Sequence, residues 1–366
     1  MFYVIAFCLV LIIFFLENLW IKHCRLKFLH VIHVNGIRGK TTVCRLLDTM
    51  LRERYRVFTK TTGTDPQIIG VDGVQRPIRR RGCANIREQL RIICRAYKEN
   101  AEILIVECMA VKPLLQSVSA HDMLSADIGI ITNVRYDHIL EMGDTLDEIA
   151  KSLCNTIPKN GYIFSGMHDH TFQIMQRSLK NGSVFIPVCG CEEEGESENY
   201  AIASSVARFL GLSKQQIDSG VSKLIQDFGT SMEYKVTTYG GYSIRFLNLF
   251  SVNDPQSTMM HLRFANASNT FFLYNDRVDR PDRLVLFARK FFPNWQDATV
   301  FLVGQHNFYA ERELRKVNGL KIVRVRCWRE CLSLPEGSLL VGIGNIKGAG
   351  YEMIMELNSR REESTI

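Results

Sequence analysis

The stretch "FLHVIHVNGIRGKTTVCRLLDTMLRER", Phe28 to Arg54, restricts the fold more than any other part of the chain. An apolar, strand-like run ends in a glycine turn. The next segment then places Val43, Leu46, Leu47, Met50 and Leu51 on one helical face. Strand, glycine turn and helix in that order open a βαβ unit, and such units imply a parallel sheet covered on both faces. The turn, Gly36 to Thr41, reads as a shortened phosphate loop of the form G-x-x-G-K-T, because the place of the first glycine in the longer pattern is held by Val34. Backbone N–H groups of the turn and of the helix N-terminus would face phosphate oxygens. Lys40 would pair with the terminal phosphates, and the Thr41 hydroxyl would reach Mg²⁺.

The same alternation continues. "RVFTKT", "EILIVECM", "DIGIITNV", "YIFSG" and "SVFIPV" read as further strands with helical stretches between most of them, and "EEEGESEN" (192–199) reads as a short acidic loop. A second cycle begins near Met232. "EYKVTTYGGYSIRFLN" predicts a hairpin turning at Gly240-Gly241, followed by strands "TFFLYND", "TVFLVG", "KIVRV" and "LLVGIGN". The expected boundary falls at about Asp227 to Ser231. The fold class is therefore α/β: a phosphate-loop domain with a mostly parallel sheet over 28–230, and a smaller Rossmann-like α/β domain over 231–366.

An apolar helix precedes both. Met1 to Leu16 carries no charged side chain, about 24 Å of helix at about 1.5 Å per residue. Leu19, Trp20 and Ile21 extend it toward the roughly 30 Å of a hydrocarbon core. No Lys or Arg comes before the run and no small-x-small site follows it, which argues against a cleaved signal peptide. Lys22, Arg25 and Lys27 follow at once, so residues 1–21 are expected to form a single anchor in the cell membrane with the catalytic body cytoplasmic. The 11 cysteines are odd in number, scattered and without a C-x-x-C pair, which suits a reducing compartment and makes a zinc site or disulfide framework a poor reading. The net charge of +7 is modest, and the basic residues are not interleaved with aromatics, so nucleic acid is not an expected partner.

Three further signals accompany the loop. "KTTGTDP", Lys60 to Pro66, follows a strand and suits a close approach to phosphate or metal. Glu107 ends the apolar run "ILIVECM", at the carboxyl edge where open α/β sheets bind ligands, and carboxylate oxygen suits Mg²⁺. In "TNVRYDHILEMGDT", Asp137-His138 is expected at that same edge. "RPIRRRG", Arg76 to Gly82, concentrates guanidinium groups that pair well with carboxylates, so Arg79, Arg80 and Arg81 are candidate contacts for a polyanionic chain.

Together, "NGIRGKTT", "KTTGTDP", "ECMAV" and "TNVRYDHILEMGDTLDEIA" resemble the ATP-dependent Mur ligase superfamily, which includes the folylpolyglutamate synthases. The likeness is nearest to the ligase subunits of bacterial poly-γ-glutamate (capsule) synthases, and it continues through "FLNLFSVNDPQST", "YNDRVDRPDR" and "GIGNIKGAG". The resemblance implies that Asn35, Gly36, Gly39, Lys40, Thr41 and Thr42 hold ATP, with Thr41 and Glu107 on Mg²⁺ and His138 on a second ion. It implies Asn199 near the adenine, Asp279 and Arg280 approaching the nucleotide on domain closure, and Asn253 and Asp254 on the ribose side. Lys40, Glu107, His138 and Arg280 are thus the implied catalytic groups. One departure stands out: the place of the metal-bridging carbamyl-lysine of folylpolyglutamate synthases holds Leu153, with Lys151 two residues earlier.

The implied activity is an ADP-forming ligase that activates a γ-carboxylate as an acyl phosphate and adds glutamate to a growing poly-γ-glutamate chain. Small membrane subunits of a capsule synthase are implied as partners, and a homo-oligomer stays open. The rival readings are a glutamate ligase acting on a soluble substrate such as folate, and a membrane-attached phosphate-loop ATPase that forms no amide.

Overall fold

The computed structural model describes residues 2–363 apart from 64–65, 81, 83, 167–169, 181, 189–195, 225–231, 264, 266–268 and 306–307. Arg81 and the expected boundary at 227–231 lie outside the described residues. The chain divides into two compact units, one of Met1–Val134 with Glu141–Ile225, the other of Arg135–Leu140 with Gln226–Ile366.

The first unit is built on eight strands: β1 (His30–Asn35), β2 (Val57–Thr61), β3 (Gln67–Ile69), β4 (Gln75–Pro77), β5 (Ile103–Glu107), β6 (Ile128–Ile131), β7 (Gly161–Ser165) and β8 (Ser183–Pro187). Their order is β4-β3-β2-β5-β1-β6-β7-β8. All neighbours are parallel except β2–β3 and β3–β4, a short antiparallel extension that apolar periodicity did not signal. The central strands are apolar throughout because both faces are covered. Ile32, Val34, Ile103 and Ile105 pack against α2 (Lys40–Leu51) and the helix Glu196–Phe209. Val31, Phe58, Leu104 and Val106 face α3 (Glu88–Lys98). The predicted apolar face of α2 is buried as a whole. Register pairs Val34 with Glu107 and Asn35 with Ile131, so β1, β5 and β6 finish at one edge.

The segment expected as an acidic loop is partly helical, since Glu196–Asn199 open the helix Glu196–Phe209. Ile202, Ala203, Val206 and Ala207 of the same helix are buried in the core, and that packing outweighs the loop-like composition of its first turn.

The N-terminal helix α1 runs from Phe2 to Arg25 and is long and apolar enough to cross a membrane. It extends past the expected end at residue 21 because its last turns belong to the first unit. Ile21 and Cys24 are buried with Phe28 and Ile93, and Arg25 binds Asp127 at 2.8 Å and the Leu124 and Ser125 carbonyls at 3.1 and 3.0 Å.

The second unit carries β9 (Met232–Thr237), β10 (Ser243–Asn248), β11 (Thr270–Asp276), β12 (Thr299–Gly304), β13 (Lys321–Arg324) and β14 (Leu339–Gly344), ordered β13-β12-β11-β14-β10-β9. Only β9–β10 is antiparallel, in the register of the expected hairpin, with Gly241 at φ 82° in its turn. Edge-on and tilted rings of Phe272, Phe287, Phe291, Phe292 and Trp295 fill one face of this sheet.

Candidate active site

The glycine turn follows β1 and opens directly into α2, whose capping residue is Gly39. Two positions need glycine here. Gly36 has φ 124° and Gly39 φ 77°, and a Cβ on Gly36 would run into Thr132 while one on Gly39 would run into the Asn199 carboxamide. The loop is fastened from β6's end. Asn133 Oδ1 accepts from Arg38 N–H at 2.9 Å, the Asn133 carbonyl accepts from Ile37 N–H at 3.2 Å, and the Thr132 hydroxyl donates to the Arg38 carbonyl at 2.5 Å. Lys40 arches back over the turn, its Nζ donating to the Gly36 carbonyl at 2.7 Å and the Ile37 carbonyl at 3.2 Å. An ammonium group above the loop and N–H groups at the helix start make an anion cradle.

Beside the cradle the Thr41 hydroxyl donates to Glu107 Oε2 at 2.9 Å, and the Thr62 backbone N–H donates to the same oxygen at 2.6 Å. Glu107 is 3% exposed. The loop after β2 comes close enough that a Cβ on Gly63 would sit 2.9 Å from Thr41 Oγ1. Thus three of the sequence signals, the glycine turn, "KTTG" and Glu107, converge on one point at the sheet edge. The donors there are a hydroxyl and a carboxylate, the oxygen set that a hard divalent cation takes. Asn199 offers a second sign of an incomplete environment: its Oδ1 is buried against Gly39 without a hydrogen-bond partner among the described residues. Asn35 serves the interior instead, its amide donating to Gln116 at 2.9 Å and Thr156 at 3.3 Å. Thr42 is half-buried in the first turn of α2.

The other candidates lie in the second unit. Asp137 and His138 belong to its short inserted segment, 135–140. That segment is fixed by Arg135 to Ser257, by Lys290 Nζ over the Tyr136 ring at 5.3 Å, and by Arg283 to Asp137 at 3.7 Å. His138 has φ 51°, unusual for a residue with a side chain, and its Nδ1 faces Arg280 at 3.2 Å. Asp137, His138 and Asp282 bring one ligand atom each within 4.8 Å of one another. Asp279 is paired with Arg277 at 2.5 Å. Asp254 caps the helix Pro255–His261 by accepting from Ser257 N–H at 2.8 Å, and Asn253 Oδ1 accepts from Arg283 at 3.2 Å. Leu153 is buried and Lys151 is exposed.

Arg79 is exposed, whereas Arg80 is committed to Glu88 through two bonds of 2.6 and 2.9 Å. Glu88 in turn lies 3.5 Å from Lys60, which is fully buried on β2. Burial pushes the Lys60 ammonium below its ordinary pKa, against the pull of Glu88. One register step from Lys60, across Val106, stands His33 on β1. It is fully buried, neither ring nitrogen has a partner among the described residues, and burial together with nearby Lys60 and His121 holds its pKa down at about 3. Lys60, Thr132 and Asn133 lie in stretches that the sequence singles out without giving them a role of their own, and His33 is not among its candidates. Polar residues inside strand-like runs, as in "HVIHVNG" and "RVFTKT", were the available signal.

Comparison with known proteins places this geometry in a family. The Mur ligase middle domain matches residues 34–243, and the poly-gamma-glutamate synthase CapB C-terminal domain matches residues 233–360. The capsule biosynthesis protein CapB of Bacillus anthracis is 29% identical over 402 residues, covering 100% of this chain and 85% of that one. The PGA synthase CapB of Bacillus subtilis (strain 168) is 28% identical, covering 92% of each. Among solved structures, a bifunctional folylpolyglutamate synthase/dihydrofolate synthase of Yersinia pestis, complexed with AMPPNP and a manganese ion, superposes with a TM-score of 0.61 at 12% identity, covering 93% of this chain and 92% of that one. At that identity the likeness concerns the fold. The Mur ligase match takes in more than half of the sequence, including the glycine turn, Glu107 and Asn199, and the chain belongs to the Mur ligase family.

Proposed function

We propose that the chain is an ATP-dependent, ADP-forming acid–amino-acid ligase that adds glutamate to a growing poly-γ-glutamate chain for a capsule polymer. The observation that carries the reading is the meeting of Thr41, Thr62 and Glu107 beside a glycine-cradled Lys40. The family and the two capsule relatives support it, as does a neighbour of the same fold that holds an ATP analogue and a divalent ion.

A carboxylate is a poor electrophile, so amide formation in water needs activation. The acceptor's γ-carboxylate oxygen attacks the γ-phosphorus of ATP, the bond to the β-phosphate oxygen breaks, and ADP leaves. The incoming glutamate nitrogen then attacks the acyl carbon, expelling phosphate as the amine loses its proton. Gly36, Gly39 and the N–H groups of the loop would hold the phosphates, and Lys40 would turn from the loop carbonyls to the transferring group. Thr41 and Glu107 would hold Mg²⁺, which supplies charge neutralisation on the phosphoryl oxygens. Asn199 would offer its side-chain oxygen to the nucleotide. His138 with Asp137 and Asp282 is the proposed seat of a second ion, and Arg280 the cation contributed by the second unit. Leu153 and Lys151 argue that no carbamyl-lysine takes part.

The proposed organisation is an anchor over 1–21, an ATP-binding domain over 28–230 and a C-terminal domain over 231–366. The apolar exposed length of α1 favours a membrane-anchored polymer ligase over a soluble folate-type enzyme. Lys22, Arg25 and Lys27 just beyond it favour a cytoplasmic body. The test supplies membranes bearing the chain with ATP and each amino acid in turn. ADP release that depends on glutamate and yields a lengthening product supports the reading, with Lys40→Ala inactive. Hydrolysis indifferent to every amino acid refutes it.

A further inference from the structure

The contacts of two residues, Arg87 and Tyr97, set α1 and α3 in axial correspondence. Arg87, the residue before α3, places its guanidinium 5.4 Å from the centre of the Phe14 ring and donates to both carboxylate oxygens of Glu17, at 2.9 and 2.7 Å. Ten residues on, Tyr97 stands edge-on to Trp20 at 5.7 Å and to His23 at 5.8 Å. The N-terminal end of α3 is therefore level with Phe14–Glu17, where the uncharged run of α1 stops. The other end of α3 lies about 15 Å further along its axis.

The anchor reading gives this level a meaning, and the inference rests on it. If residues up to Leu16 lie in hydrocarbon, Glu17 and Arg87 sit among headgroups. Arg91 follows one turn after Arg87 and is exposed, as is Arg79. The bond from Arg80 to Glu88 in the first turn of α3 holds Arg79's loop at that same end. Three guanidinium groups thus gather where a bilayer surface would pass, and arginine suits it by keeping its stem in apolar surroundings and its head in the polar layer. We propose that Arg79, Arg87 and Arg91, at the N-terminal end of α3, form a docking surface for anionic lipid headgroups that holds the catalytic body against the leaflet. This reading replaces the expected role of the basic loop as a grip on the polyanionic acceptor.

Attraction to an anionic leaflet multiplies occupancy about fivefold per arginine (about 1 kcal/mol each) and fades within a Debye length. Lys98, at the far end of α3, should contribute little. The full chain is reconstituted in phosphatidylcholine nanodiscs with and without 30% phosphatidylglycerol, and hydrogen exchange is read at amides 85–91. Exchange at least fivefold slower in the anionic discs is expected. Replacing Arg79, Arg87 and Arg91 together by Gln should abolish the difference, and Lys98→Gln should keep it. Equal exchange in both discs overturns the proposal. So does protection in neutral discs that appears only when poly-γ-glutamate is added, which would return the loop to the substrate. Failure of the chain to enter either disc removes the anchor reading and the proposal with it.

Discussion

Lowering the pH from 7 to 5 should weaken the first unit by about 2 kcal/mol, with His33 as the source. Its imidazole is fully buried, without hydrogen-bond partners among the described residues, and its folded pKa of about 3 lies below the unfolded value of 6.5. The unfolded chain therefore binds the proton more readily. The stabilisation is complete above pH 6.5 and is lost as the pH falls toward 3. Between pH 6.5 and pH 5 the loss is roughly 1.5 pH units at about 1.4 kcal/mol each. Hydrogen exchange of the buried β1 amides in the full chain, corrected for intrinsic rates, should lose about thirtyfold in protection over that range. His33→Leu has a similar volume and nothing to protonate, so its protection should change less than threefold. Equal losses in the two proteins would refute the assignment and move the pH sensitivity to another group.

Two substitutions probe the cradle. Gly39→Ala forces a side chain into a left-handed position, at a cost of about 1–2 kcal/mol, and drives its Cβ against Asn199. ATP affinity by calorimetry should fall at least tenfold, and unchanged affinity would show that the turn does not hold nucleotide. Glu107→Gln keeps the shape but removes the charge beside Thr41. The magnesium concentration giving half-maximal ATP turnover should rise at least tenfold, while an unaltered magnesium dependence would place the ion elsewhere.

Much of the fold was legible because its signals are local. Each strand-like run named in the sequence became a strand, and the helix after the glycine turn buried the five residues assigned to its inner face. The glycine turn was readable for the same reason: spacing along the chain fixes the turn. What escaped was decided by partners distant in sequence. Thr132 and Asn133 clamp a loop almost 100 residues earlier, and Arg80 spends its charge on Glu88. Asp137-His138 is held within the second unit by Arg280 and Arg283, which lie far along the chain. The short strands β3 and β4 carry too few residues for a period-2 pattern to stand out. His33 and Lys60 look like ordinary polar positions until register shows them in one buried row.

The origin of the oxygen released in phosphate tests the chemistry most directly. With the acceptor's γ-carboxylate enriched in ¹⁸O, the attack assigned above carries one labelled oxygen from the acid into each phosphate formed during glutamate addition. Phosphate bearing a single ¹⁸O for every amide made is the expected result. Unlabelled phosphate, with the amide still forming, would mean that the carboxylate is never phosphorylated.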